Sequence, residues 1–97
     1  MPVRHVAMFR FVDGVTAAQL EKVESALAAL PAQVPELEGY AFGQDLGLSD
    51  GTWDFVVTAD VADADAYERY RVHPAHQMVH EILAPIIAER AAVQFER

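Results

Sequence analysis

The hydrophobic period of this chain switches repeatedly between the two of a strand and the 3.6 of a helix, and the order of those switches limits the folds open to it. Val3, His5, Ala7, Phe9 and Phe11 alternate with Arg4, Val6, Met8 and Arg10. That is a strand, and Val6 and Met8 make its second face apolar at the centre as well. After Asp13-Gly14, Thr16 is placed to cap a helix in which Leu20, Val23, Leu27 and Leu30 recur until Pro31, where the helix is predicted to stop. Residues 31–39 read as a loop and 40–48 as a second strand, in which Gly43 and Gly47 mark a bulge or a close approach. Ser49-Asp50-Gly51 supplies a turn, and 53–59 a third strand completing a hairpin. Asp63 opens a helical piece carrying Ala66, Tyr67 and Tyr70; Pro74 opens another with Met78, Val79, Ile82 and Leu83, ending near Pro85. Residues 88–96 form the last strand, with Ala91, Val93 and Phe95 on one face and Arg90, Ala92, Gln94 and Glu96 on the other.

The order β-α-β-β-α-β predicts an α+β, ferredoxin-like fold, a four-stranded antiparallel sheet with both helices on one face. With 97 residues there is room for one domain and one core, so residues 1–97 are expected to form a single unit. The sheet's other face would expose Val6, Met8 and their neighbours, an apolar patch that monomers seldom tolerate. A homodimer joined through the sheet faces, giving a dimeric α+β barrel, removes that exposure.

Charge narrows the partners. Fifteen carboxylates against seven Lys and Arg give a net charge of −8, a field that repels polyphosphates and anionic headgroups. Neither nucleic acid nor membrane is expected as a partner. No charge-free run approaches the roughly 20 apolar residues of a membrane helix. Met1-Pro2-Val3-Arg4 does not open like a signal peptide, so a cytoplasmic location is expected. With no cysteine there is no disulfide, thiolate nucleophile or thiolate zinc site.

Three of the four histidines fall in Tyr70-Arg71-Val72-His73-Pro74-Ala75-His76-Gln77-Met78-Val79-His80, and the fourth is His5 on the first strand. On one unbroken helix Tyr70 and His76 would project about 120° apart. Pro74 disfavours helical backbone at His73 and lacks an N–H, so a break is predicted there, with His76 at about N3 of a new segment. The break lets the phenol and the imidazole converge, and the positive helix end favours a neutral ring. Neutral imidazole beside a phenol suits removal of a proton next to a carbonyl. Each group also has a plainer reading: Tyr70 as an anchor of helix on sheet, His76 as a structural histidine, His5 as a core histidine, and His73 as a cap. Arg69 and Arg71 could meet an acidic substrate or form surface ion pairs. His73, His76 and His80 have metal-like spacing but no fourth ligand, so neither a metal nor another cofactor is expected. His5, Ala7 and Phe9, opposite Val23 and Leu27 and beside Val57 and His73, would line a small-molecule pocket or close into solid core.

These residues resemble the Dabb (dimeric α-β barrel, stress-responsive) family. The resemblance covers nearly the whole chain. It rests on Val3 to Phe11, on Asp45-Leu46-Gly47 and Trp53-Asp54-Phe55, and above all on the Tyr-x-x-His-Pro-x-His string from Tyr70 to His76. It implies a ferredoxin-like protomer and a barrel-forming dimer. One plant member is a polyketide cyclase that performs an intramolecular aldol condensation with a tyrosine and a histidine, which match Tyr70 and His76; its first-strand histidine matches His5. Where that enzyme has a third-strand histidine, this chain has Phe55. The resemblance thus implies a cofactor-independent acid/base enzyme on a small carbonyl substrate. The other readings are a non-catalytic stress-responsive domain and a cofactor-free monooxygenase of related barrel type.

Overall fold

A computed structural model describes residues 1–97. The order is β1 (Val3–Phe11), α1 (Ala17–Gln33), β2 (Gly39–Gln44), β3 (Phe55–Val61), α2 (Ala64–Val72), α3 (Pro74–Leu83), a short 3₁₀ turn at Ala84–Ile86 and β4 (Ile87–Glu96). The strands form one antiparallel sheet in the order β2-β3-β1-β4. This is the ferredoxin-like layout, with the second helix of the pattern divided into α2 and α3.

Directly opposed residues share a face, so the register sorts the side chains. His5, Ala7 and Phe9 lie beside Ala59, Val57 and Phe55 of β3 and beside Gln94, Ala92 and Arg90 of β4. From the helices, Val23, Leu27 and Leu30 of α1, Tyr70 of α2 and Val79 and Leu83 of α3 close over that face, and all six are buried. The opposite face carries Val6 and Met8 between Thr58 and Val56 of β3 and Val93 and Ala91 of β4.

Several boundaries depart from the sequence expectation. The first helix runs through Pro31 to Gln33 instead of stopping. The ring removes only the N–H that would have met Leu27, while the Val34 N–H still closes on the Leu30 carbonyl at 3.0 Å. Leu30 and Val34 are both fully buried, and burying two such side chains, at about 1.5–3 kcal/mol each, offsets the roughly 3 kcal/mol of an interior proline. The start of α1 is as expected: Thr16 Oγ1 accepts from the Gln19 N–H and Gln19 Oε1 from the Thr16 N–H, a capping box.

The second strand ends early, at Gln44, and the third begins late, at Phe55, each where an aspartate diverts the backbone; the third then runs on to Val61. The Asp45 carboxylate accepts from the Gly47 N–H and the Thr52 hydroxyl, folding the chain into a loop. That of Asp54 accepts from the Phe11 N–H. Gly47, with φ of 70°, belongs to this loop and not to a strand. Gly43 keeps regular register with Val56, with open space where a side chain would stand, so neither a bulge nor a close approach explains it.

Candidate active site

The site begins with a backbone carbonyl that a proline leaves without its helical partner. His73 is extended (φ −61°, ψ 136°), as Pro74 requires of the residue before it. In an unbroken helix the Ala75 N–H would serve the Arg71 carbonyl; here it donates to His73 Nδ1 at 3.1 Å. Arg71 is left to side chains, and His76 Nδ1 and Gln77 Nε2 both donate to its carbonyl at 2.9 Å. A carbonyl has no proton to give, so the proton sits on His76 Nδ1. In the neutral ring Nε2 is therefore a bare lone pair.

His5 has the opposite arrangement. Its β1–β4 partner Gln94 donates from Nε2 to His5 Nδ1 at 2.8 Å. The neutral His5 ring thus carries its proton on Nε2. No buried polar side-chain atom lacks a partner, so neither unbonded Nε2 is fully sealed from solvent.

Tyr70, 2% exposed near the end of α2, stands against the His76 ring. Its ring centroid lies 4.5 Å from that of His76, tilted by 52°. Tyr67 stands 5.1 Å from His5 and 6.2 Å from Tyr70. His5, Tyr70 and His76 line an open cleft of about 390 Å³ together with His80, Arg90 and Gln94. Beneath it a recess of about 50 Å³ is walled by Ala7, Phe9, Leu27, Val57 and Leu83, with Tyr40 among them.

Burial sets the protonation states. It lowers the His5 pKa to about 4, helped by the nearby charge of Arg90 and by His76. His76 is also held below the ordinary imidazole value, chiefly by burial; its bond to the Arg71 carbonyl works against this, while His80, Arg90 and Arg71 reinforce it. Burial pushes the Tyr70 phenol up to about 12, with the neighbouring Tyr40 hydroxyl pulling the other way. Tyr40 is itself raised, mainly by burial. At neutral pH the cleft therefore holds two uncharged imidazoles and protonated phenols.

Of the residues expected at the pocket, the structure brings His5, Tyr70 and His76 into the cleft and places Ala7, Phe9, Leu27 and Val57 on the inner wall. Two are elsewhere. Val23, one turn before Leu27, is packed in the core and reaches neither space. His73 spends its ring capping α3 and does not line the cleft. Phe55 packs against Phe42, with centroids 6.3 Å apart, and the third-strand residue at the recess is Val57. Arg69 and Arg71 are paired with Glu36 and Glu68. No three His, Asp or Glu side chains are grouped as a metal ligand set.

Tyr40, His80, Arg90 and Gln94 also line the cleft or its recess, beyond the residues the sequence points to. The alternation of β4 held part of the signal, because it groups Arg90, Ala92 and Gln94 on one face; only the β1–β4 register shows that this face meets His5.

The family model of the stress responsive A/B barrel domain, Dabb, matches residues 3–97. The chain belongs to the Dabb family. A Dabb-sized relative, an uncharacterised protein of Streptomyces coelicolor, is 36% identical over 78 residues, which are 77% of this chain and 79% of that protein. A dimeric ferredoxin-like protein of unknown function from Thermobifida fusca has a crystal structure with a TM-score of 0.94 and 49% identity, over 100% of this chain and 92% of the other. The cofactor-independent oxygenase SnoaB of Streptomyces nogalater has a TM-score of 0.76 and 21% identity, over 99% of this chain and 92% of the other. That last likeness is one of fold alone. No helix of this Dabb chain is long and apolar enough to cross a membrane.

Proposed function

We propose that this protein is a cytoplasmic, cofactor-independent acid/base enzyme that binds a small carbonyl compound and moves a proton at the adjacent carbon. The observation that carries this reading is the bond from His76 Nδ1 to the Arg71 carbonyl, which fixes Nε2 as a lone pair on an open cleft beside Tyr70. His76 Nε2 takes the proton of the C–H bond, and the released electron pair moves onto the carbonyl oxygen. The Tyr70 hydroxyl, assisted by His5 Nε2–H, donates hydrogen bonds to that oxygen as it gains charge. In an intramolecular aldol reaction the enolate carbon then bonds to a second carbonyl carbon of the same molecule. The new alkoxide takes back the proton from His76, and nothing is lost.

The test is deuterium incorporation next to the carbonyl of 2-octanone and of 2-oxooctanoate in D₂O, followed by proton NMR. The protein should accelerate exchange on at least one probe, and Tyr70→Phe should slow it about tenfold or more. Exchange at the buffer rate on both would defeat the proposal. The fold shared with a cofactor-independent oxygenase supports a second reading, oxygen transfer to an electron-rich aromatic; that outcome would show as oxygen consumption without exchange.

A two-fold homodimer through the open sheet face is part of the same proposal. Val93 and Phe95 are 55% and 46% exposed on that face. Beside Met8 and Val56 a groove of about 530 Å³ carries the exposed Leu46 and Leu48 of the hairpin loop. The Thermobifida fusca relative is described as dimeric. Sedimentation equilibrium should give the mass of two 97-residue chains, and Val93→Glu should shift it toward that of one.

A further inference from the structure

Fifteen of the 97 residues are carboxylates, yet none lines either the cleft or its inner recess. The cations are distributed in the opposite sense. Five of the six arginines have a carboxylate partner: Arg4 with Asp60, Arg10 with Glu89, Arg69 with Glu36, Arg71 with Glu68 and Arg97 with Glu38. Arg90 alone makes no ion pair and no side-chain hydrogen bond. It is opposite Phe9 in the β1–β4 register, on the side of the sheet that faces the helices, and it borders both the cleft and the recess. Its sequence neighbour Glu89 is paired across the strands with Arg10.

We propose that Arg90 is the anion-recognition residue of this cleft, and that the substrate is a keto-carboxylate whose carboxylate pairs with Arg90 while its carbonyl lies between Tyr70 and His76. This deepens the proton-transfer reading and rests on it. A guanidinium fork is the side chain best matched to a carboxylate, through two parallel N–H···O bonds. On so acidic a chain, distant charges are screened within about 10 Å, so a cleft free of carboxylates with an unpaired arginine is locally attractive to an anion. The apolar walls of Ala7, Phe9, Leu27 and Leu83 behind it suit a short hydrocarbon tail. Arg90 also contributes to holding His5 and His76 below their ordinary values, an effect that a bound carboxylate would partly cancel.

The experiment titrates 2-oxooctanoate and its methyl ester into wild type, Arg90→Gln and Arg90→Lys, reading affinity from the imidazole proton signals of His5 and His76. The wild type should bind the acid at least tenfold more tightly than the ester. Arg90→Gln should abolish that preference without weakening the ester, and Arg90→Lys should keep part of it. Because β4 is an edge strand and Arg90 is exposed, the variants are expected to melt near the wild type. Equal affinity for acid and ester, a preference that survives in Arg90→Gln, or binding that leaves both imidazoles unmoved would overturn the assignment. Deuterium exchange in the same samples separates the two proposals. Arg90-dependent binding without exchange overturns proton transfer and keeps the anion site, whereas exchange with no acid preference does the reverse.

Discussion

Replacing His76 with alanine should slow deuterium exchange by about 10²–10⁴-fold, the contribution of a positioned general base, while leaving the fold nearly as stable as before. The two halves of that expectation have separate origins. The rate depends on Nε2, the imidazole lone pair held beside Tyr70, because the lone pair of His5 is occupied by Gln94. The stability depends on Nδ1, and its loss is cushioned: the Arg71 carbonyl still receives the Gln77 amide at 2.9 Å. A half-buried histidine removed under those conditions should cost about 1 kcal/mol. Thermal melting and exchange rates measured on one preparation check both halves. A large drop in melting temperature with unchanged exchange would mean that the ring only braces the bend. The wild-type rate should also fall on acidification with a midpoint below the ordinary histidine value of 6.5, because burial holds the His76 pKa down. The proton must leave the ring before it can act as a base, so the low pKa extends the active range toward acid.

Nearly all of the fold was legible in the sequence, and the reason is period. Strands β1 and β4 alternate cleanly, α1 and α3 carry apolar residues three and four apart, and Thr16, Asp63 and Pro74 stand where helices start. The structure departs from the sequence pattern where a tertiary partner overrules a local signal. Pro31 breaks helices in isolation, but the burial of Leu30 and Val34 keeps the last turn in place. Asp45 ends β2 early and Asp54 delays the start of β3 through side-chain bonds to residues that no local pattern identifies. Of the site, the convergence of Tyr70 and His76 followed from one proline, because a backbone constraint acts on its immediate neighbours. Tyr40, Arg90 and Gln94 belong to other strands, and their approach depends on register. Register is a property of paired strands, and a single strand's alternation fixes which residues share a face without fixing what they meet.

His5 should make the protein lose stability between about pH 6.5 and pH 4, before most carboxylates titrate. The sign follows from its two pKa values. In the unfolded chain the imidazole takes a proton near 6.5, whereas in the folded chain burial, Arg90 and His76 hold it to about 4. Between those values the unfolded state holds a proton that the folded state refuses, so acid favours unfolding. The contribution is complete above pH 6.5 and is lost as the pH falls to 4, at about 1.4 kcal/mol per unit. The whole interval is worth up to about 3 kcal/mol, a large share of the roughly 5–15 kcal/mol that holds a domain folded. His76, lowered in the same direction, adds to the same slope. The paired carboxylates Asp60 and Glu68, held below their usual range chiefly by hydrogen bonds from Arg4 and Arg71 respectively, act at lower pH, where those bonds are lost on protonation. His5→Asn retains an oxygen to accept from Gln94 and removes the titration. Urea midpoints at pH 7.5, 5.5 and 4.5 should fall steeply for the wild type and less steeply for this variant. Parallel falls would place the acid sensitivity elsewhere in the chain.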